Sequence, residues 1–212
     1  MTASRLTARF VPLEAAPGWV APIAILAALG AIVAARLVAS RAGLDPLAVG
    51  AAFGAGLTAL ALVGRMGGSI GGSLGELVPL RAVVIGSVVG LALAALAIAG
   101  PAIGGTTYVP GLGRPAAPFV PWALITIVVA SAEEGVLRGA LFDRISRLAG
   151  LVPVIAVTTV AFALMHVPLY GWHVVPLDLA VGLVLAGLRL GTRGLVAPAA
   201  AHAVADLATW WL

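Results

Sequence analysis

Cysteine and lysine are both absent from the 212 residues, and charged side chains of every kind make up only 9%. Without cysteine there can be no disulfide, no thiolate nucleophile and no Cys-ligated metal site. Any catalysis must therefore run on carboxylate, imidazole or hydroxyl chemistry. Soluble domains carry about 25% charged residues. With 62% hydrophobic residues and so little charge, a water-soluble fold could not cover its own apolar surface. The formal charge of +4 comes entirely from arginine, set singly between apolar stretches. Scattered arginines do not make a basic patch, so a nucleic-acid partner is not expected. In a chain this apolar they serve better as markers of membrane topology.

The bilayer core requires roughly 20 mostly apolar residues per helix, and seven such stretches can be read, which predicts an all-α, polytopic transmembrane bundle. A basic leader, residues 1–18 with Arg5 and Arg9, precedes the first, from Trp19 to about Val38. That stretch is longer than a signal-peptide core and reads as a transmembrane helix. The second runs from about Leu47 to Val63 and the third from about Ala82 to Ala99. Gly50 and Gly54, and again Gly86 and Gly90, stand at the four-residue spacing that lets helices approach closely. A Gly/Ser-rich connection follows Arg65, and a long loop runs from Pro101 to Pro118, closing a first region over 19–118.

Four more helices fill 119–212. The fourth starts near Phe119 and continues past Arg138 toward Arg147; the fifth spans about Leu151–Val167 and is broken by Pro168. The sixth covers about Val174–Leu190, and the seventh runs from Gly194 to Leu212, ending in Trp210 and Trp211, residues suited to an interfacial belt. Seven spans put Arg5, Arg9, Arg65, Arg81, Arg144, Arg147, Arg189 and Arg193 on one side, against Arg36, Arg41 and Arg114 on the other. That bias predicts a cytoplasmic amino terminus and an external carboxyl terminus. Abundant Ala, Gly, Val and Arg with no Lys suggests a GC-rich bacterial genome, and hence a bacterial plasma membrane.

Few strongly polar side chains lie within the spans: Glu133, Glu134, Arg138, His166, Asp178, His202 and Asp206. An ionisable group at the bilayer centre costs about 2.5–3.5 kcal/mol on insertion scales, which makes each a functional-site candidate facing the bundle interior. Glu134 and Arg138 are four apart and share a helical face, whereas Glu133 points about 100° away and is free to face another helix. Glu134 then serves structure and Glu133 suits proton transfer; the plain alternative is that both glutamates solvate Arg138. Phe162 and His166 are also four apart. Taking Gly150 as a turn, Glu133 lies seventeen residues before it and His166 sixteen after, so an antiparallel hairpin brings them level. His202 and Asp206 form a second pair at four-residue spacing, either an oriented imidazole or a buried hydrogen-bonded cap. Asp178 fits either the cavity or the membrane surface, and His173 a loop beside Trp172. Ser131 lacks the G-x-S-x-G elbow of a serine nucleophile.

Together, EEGVLR at Glu133–Arg138, FALMH at Phe162–His166 and HAVAD at His202–Asp206 resemble the three motifs of the CPBP family of intramembrane proteases, E-E-x-x-x-R, F-x-x-x-H and H-x-x-x-N/D. That family comprises type II CAAX prenyl endopeptidases and bacterial relatives that process bacteriocins or confer immunity, also called Abi. The resemblance spans roughly 121–212 and makes the carboxyl-terminal helices a catalytic-like core. It implies that Glu133 and His166 activate a water, that His202 and Asp206 support the oxyanion, and that Glu134, Arg138 and Phe162 hold the site. One departure stands out: Asn is common at the last position in the CAAX branch, and an ionised Asp206 cannot donate a hydrogen bond as Asn does. Asp206 would instead act when protonated, or by fixing His202, or as a metal ligand. His166, His202 and Asp206 with one open position would suit a divalent metal such as zinc; the resemblance equally allows a glutamate mechanism without metal.

The expected function is hydrolysis of a peptide bond in a membrane-associated protein or peptide. The alternative is a non-catalytic immunity factor or scaffold on the same fold. A transporter predicts paired inverted repeats, which the sequence does not show, and a bis-histidine haem site through His166 and His202 predicts a Soret band.

Overall fold

A computed structural model describes residues 18–66, 79–99 and 117–211. The leader, most of the Gly/Ser-rich connection and most of the long loop with Arg114 lie outside the described residues. Those described form seven helical rods joined by short turns. α1 (Val20–Arg41) and α2 (Pro46–Arg65) form a hairpin. Asp45 caps α2 by accepting from the Ala48 N–H at 2.8 Å, and Pro46 supplies the first helical position, where a missing N–H costs nothing. α3 spans Pro79–Ala99. The fourth rod joins α4 (Phe119–Glu134), a π-helical segment (Gly135–Leu141) and α5 (Phe142–Ala149) without a break. α6 (Leu151–Tyr170), α7 (Val175–Thr192) and α8 (Val196–Ala208) complete the bundle, with a short 3-10 turn at Thr209–Trp211.

Five rods are long and apolar enough to cross a membrane: Val20–Arg41, Pro46–Arg65, Phe119–Ala149, Leu151–Tyr170 and Trp172–Thr192. The apolar stretch of α3, Leu80–Leu96, is shorter, and α8 has only 13 residues. Large apolar side chains such as Val20, Ile23, Leu62, Val88, Leu91, Val120 and Leu124 are exposed around the outside. A bundle surrounded by lipid tails needs that surface and gains nothing by hiding it. Inside, Leu57, Val136, Leu137, Leu141, Val154 and Leu185 are sealed from solvent.

Short residues decide which rods touch. α3 packs on α8 through Gly86 and Gly90, where a methyl group would collide with the carbonyl oxygens of Ala197 and Ala201. Gly50 and Gly54 likewise bring α2 against α4, close to Ile125, Val128 and Val129. Both contacts follow from the four-residue glycine spacing. Gly150 (φ 85°) and Gly171 (φ 93°) turn the chain between α5 and α6 and between α6 and α7, in a backbone region that side-chain-bearing residues rarely enter.

Three boundaries differ from the sequence reading. α6 continues through Pro168 to Tyr170, because the proline sits in the last turn, where it withdraws only the N–H aimed at Leu164; Gly171 then ends the helix. His173 lies in a 3-10 turn, Trp172–Val174, rather than an open loop. Trp210 and Trp211 part company: Trp211 is exposed, but Trp210 is buried, with its ring 5.1 Å from Phe119 and 4.9 Å from Trp122. That aromatic cluster ties the end of α8 to the start of α4.

Candidate active site

The site forms where α4, α6, α7 and α8 pass one another. Glu133 and Glu134 close α4, both buried, and the π-helical segment begins immediately after them. Such segments recur at functional sites because an extra residue per turn re-aims the side chains on either side. Here it leaves Arg138 fully buried with Nη1 2.9 Å from Glu134 Oε1, while Nη2 donates to the Gly182 carbonyl on α7 at 3.0 Å. The guanidinium also lies over the Phe162 ring, 4.9 Å from its centroid. α7 holds the segment from the other side: Arg189 donates from Nε to the Arg138 carbonyl (3.0 Å) and pairs with Asp143 (3.1 Å). Arg144 donates to the carbonyls of Gly64 and Met66, satisfying the open end of α2.

His202, buried on α8, is the meeting point. Its Nδ1 lies 3.2 Å from Glu134 Oε1, and its Nε2 lies 3.6 Å from Glu133 Oε2 and 3.5 Å from Asp206 Oδ2. Glu134 is already ion-paired with Arg138, so its carboxylate can only accept and Nδ1 of His202 is the donor. That contact fixes the ring so that Nε2 faces the second glutamate. Phe162 stands edge-on to both histidines, 5.3 Å from the His202 ring and 4.8 Å from the His166 ring. The three motif segments are thus brought into one cluster beneath the lipid-facing surface.

The arrangement within the cluster differs from a simple Glu133–His166 couple. Glu133 has His202 as its nearest imidazole, and no ion pair links it to His166, although the two lie within electrostatic reach. His166 turns toward α7 instead: Nδ1 is 3.0 Å from the Phe162 carbonyl and 3.3 Å from Asp178 Oδ2. Asp178, assigned no definite place from sequence, is buried in the first turn of α7. Its signal was available, since Gly171 turns the chain with His166 five residues before it and Asp178 seven after. Asp206 is the most open member, with its side chain 44% exposed.

These positions also bear on the zinc set suggested by sequence. Among the described residues no group of three or more histidines and acidic residues is placed to hold a metal ion, and His166, His202 and Asp206 do not form one. The reason is local: His166 is turned to Asp178, while His202 is turned to the α4 carboxylates and Asp206 lies beside its Nε2. The donor set does not fit a metal.

Two clefts adjoin the cluster. One, about 440 Å³, is lined by Arg36, Leu37, Ser40, Arg41 and the Pro168–Tyr170 end of α6. Tyr170 connects it to the site, its ring 5.8 Å from that of His166. The other, about 290 Å³, lies between α2 and α4 and includes Ser131, Ala132 and Gly135.

One known family matches part of the chain. Residues 115–208 match the family described as type II CAAX prenyl endopeptidase Rce1-like. That stretch, less than half of the 212 residues, is similar to the family. It contains every side chain of the cluster, from Glu133 to Asp206, and leaves α1–α3 outside; the endopeptidase class is the one to which the CPBP motifs pointed. No curated protein and no solved structure matches the chain.

Proposed function

We propose that this protein is an intramembrane endopeptidase that hydrolyses a peptide bond of a membrane-associated protein or peptide. The observation that carries the proposal is the His202 ring, held by Glu134 on one nitrogen and facing Glu133 and Asp206 with the other, inside a lipid-surrounded bundle. A cluster of four carboxylates and two imidazoles, with Glu133, Glu134, Asp178 and His202 buried, is expensive to keep in a membrane, and acid–base chemistry is the use that matches its composition.

In this reading Glu133 takes a proton from water as the oxygen adds to the amide carbonyl, with His166 assisting. The Nε2–H of His202, when that nitrogen is protonated, donates to the developing oxyanion. Asp206 acts through His202 by orienting it, because its carboxylate cannot itself donate. The proton then passes to the departing nitrogen as the carbon–nitrogen bond breaks, leaving a new carboxylate and a new amine. Glu134, Arg138 and Phe162 keep the two imidazoles in place. We place peptide entry at the cleft lined by Arg36, Arg41 and Tyr170, whose Tyr170 ring lies 5.8 Å from that of His166. The arginine bias supports a cytoplasmic amino terminus, and the absence of Lys beside abundant Ala, Gly, Val and Arg supports a bacterial plasma membrane.

The test is cleavage by the purified protein in liposomes, with a panel of membrane-anchored peptides, prenylated and unprenylated, read by mass spectrometry. Glu133→Gln and His202→Ala should each lose about 10²-fold or more in kcat, the range that general acid–base groups contribute. Retention of wild-type cleavage by Glu133→Gln would remove the basis of the proposal. Intact peptides with the wild-type protein would favour the scaffold reading.

A further inference from the structure

We infer that Asp178 is a positioning residue, which holds the orientation of the His166 ring and so presents the opposite ring nitrogen to the reaction. The catalytic consequence rests on the endopeptidase reading; the pairing itself does not.

The argument begins with hydrogen-bond chemistry. His166 Nδ1 lies 3.0 Å from the Phe162 carbonyl oxygen, which can only accept, so Nδ1 must carry the proton. Asp178 Oδ2, on α7, lies 3.3 Å from the same nitrogen, at ion-pair distance and without a hydrogen bond of its own. With Nδ1–H held by that carbonyl, the neutral ring keeps its lone pair on Nε2, the form a general base or water-orienting group requires. The Phe162 carbonyl belongs to the histidine's own helix and fixes the tautomer. The carboxylate comes from a neighbouring helix and fixes the rotation of the ring.

The ordinary role for an acidic residue in the first turn of a helix is to bond the free N–H groups there or to complement the dipole. Asp178 makes no hydrogen bond to the N–H groups of α7, and its Oδ2 is buried without a hydrogen bond, with the imidazole 3.3 Å away as its ion-pair partner. Other charged or titratable groups face His166 as well: Glu133 from α4, His202 from α8 and Tyr170 from its own helix. Of these, only Asp178 lies within ion-pair distance. The α6–α7 turn makes the pairing geometrically natural, since Gly171 reverses the chain between the two residues. Carboxylate–imidazole pairs of this kind raise the basicity of the far nitrogen and stop the ring from turning away.

The test has two arms, on the full-length protein in nanodiscs. The first is ¹⁵N-histidine NMR, tractable because the chain has only three histidines. The wild-type His166 ring should show the Nδ1–H tautomer with a downfield Nδ1 proton, and Asp178→Ala should move that proton upfield. Unchanged His166 signals in Asp178→Ala would overturn the pairing, whatever the protein does to peptides. The second arm is kinetic. Asp178→Ala should lower kcat by about 10–100-fold with KM within about twofold, less than the loss of the base itself. Asp178→Asn should recover part of that loss, because its amide oxygen still accepts from Nδ1–H. In a His166→Ala background Asp178→Ala should cost nothing further. Wild-type kcat in a folded Asp178→Ala protein would overturn the positioning role, and equal losses in both backgrounds would do the same. If the wild-type protein cleaves no peptide, the endopeptidase reading and the catalytic role fall together, and the NMR arm still decides the pairing.

Discussion

Arg138→Ala removes a fully buried cation and leaves its partner behind. Arg138 contacts Glu134 at 2.9 Å and the Gly182 carbonyl at 3.0 Å, and stacks on Phe162. Breaking a buried ion pair by deleting one partner costs about 3–5 kcal/mol, because the remaining charge is stranded. Loss of the stack over the Phe162 ring adds about 1 kcal/mol. Glu134 would keep only the His202 Nδ1–H, at 3.2 Å, so little compensation is available. The expected loss is about 4–6 kcal/mol, measured by reversible unfolding in mixed micelles with increasing SDS fraction. Arg138→Met combined with Glu134→Gln removes both charges while the glutamine can still accept from His202. That double variant should be more stable than Arg138→Ala by at least about 2 kcal/mol, since contacting residues couple by that order. A loss below about 1 kcal/mol for Arg138→Ala would refute the reasoning, as would a double variant no more stable than the single one.

Two further substitutions test what positions the site. Gly90→Val should force α3 away from α8, where a side chain would meet the Ala201 carbonyl and stand 2.8 Å from Val204 Cβ; a cost of about 1–3 kcal/mol is expected, with loss of cleavage because α8 carries His202. Unchanged thermal unfolding and activity would show that the close contact is dispensable. Gly150→Ala meets no atom within 4 Å, so its effect isolates backbone strain at φ 85°, about 1–3 kcal/mol; an unshifted midpoint would contradict the turn geometry.

Much of the fold is legible because a membrane leaves a chain few options. Each spanning segment must satisfy its own backbone, so apolar length alone marks helices, and small residues at four-residue spacing mark where they touch. Gly86 and Gly90 are an example, readable as a contact before the partner helix is known. The pair Glu134–Arg138 is legible for a similar reason, since it lies within one helix. What crosses between helices is harder. The nearest imidazole to Glu133 belongs to α8, and hairpin depth around Gly150 cannot decide between His202 and His166. Depth fixes level along the bundle, but not the rotation of each helix. The π-helical segment changes that rotation just after Glu134, and no sequence periodicity announces it. Asp178 is hard to place from sequence because the first turn of a helix offers an aspartate an ordinary occupation. Pro168 misled as a stop signal because a proline in the final turn disrupts so little.

The central claim is that the buried cluster uses Glu133 to activate water. Its most direct test is cleavage in H₂¹⁸O by the liposome-reconstituted protein, with mass spectrometry of the newly formed carboxyl terminus. The account predicts one ¹⁸O in that carboxylate with the wild-type protein and no labelled product above background with Glu133→Gln. Equal labelled product from both proteins would contradict it.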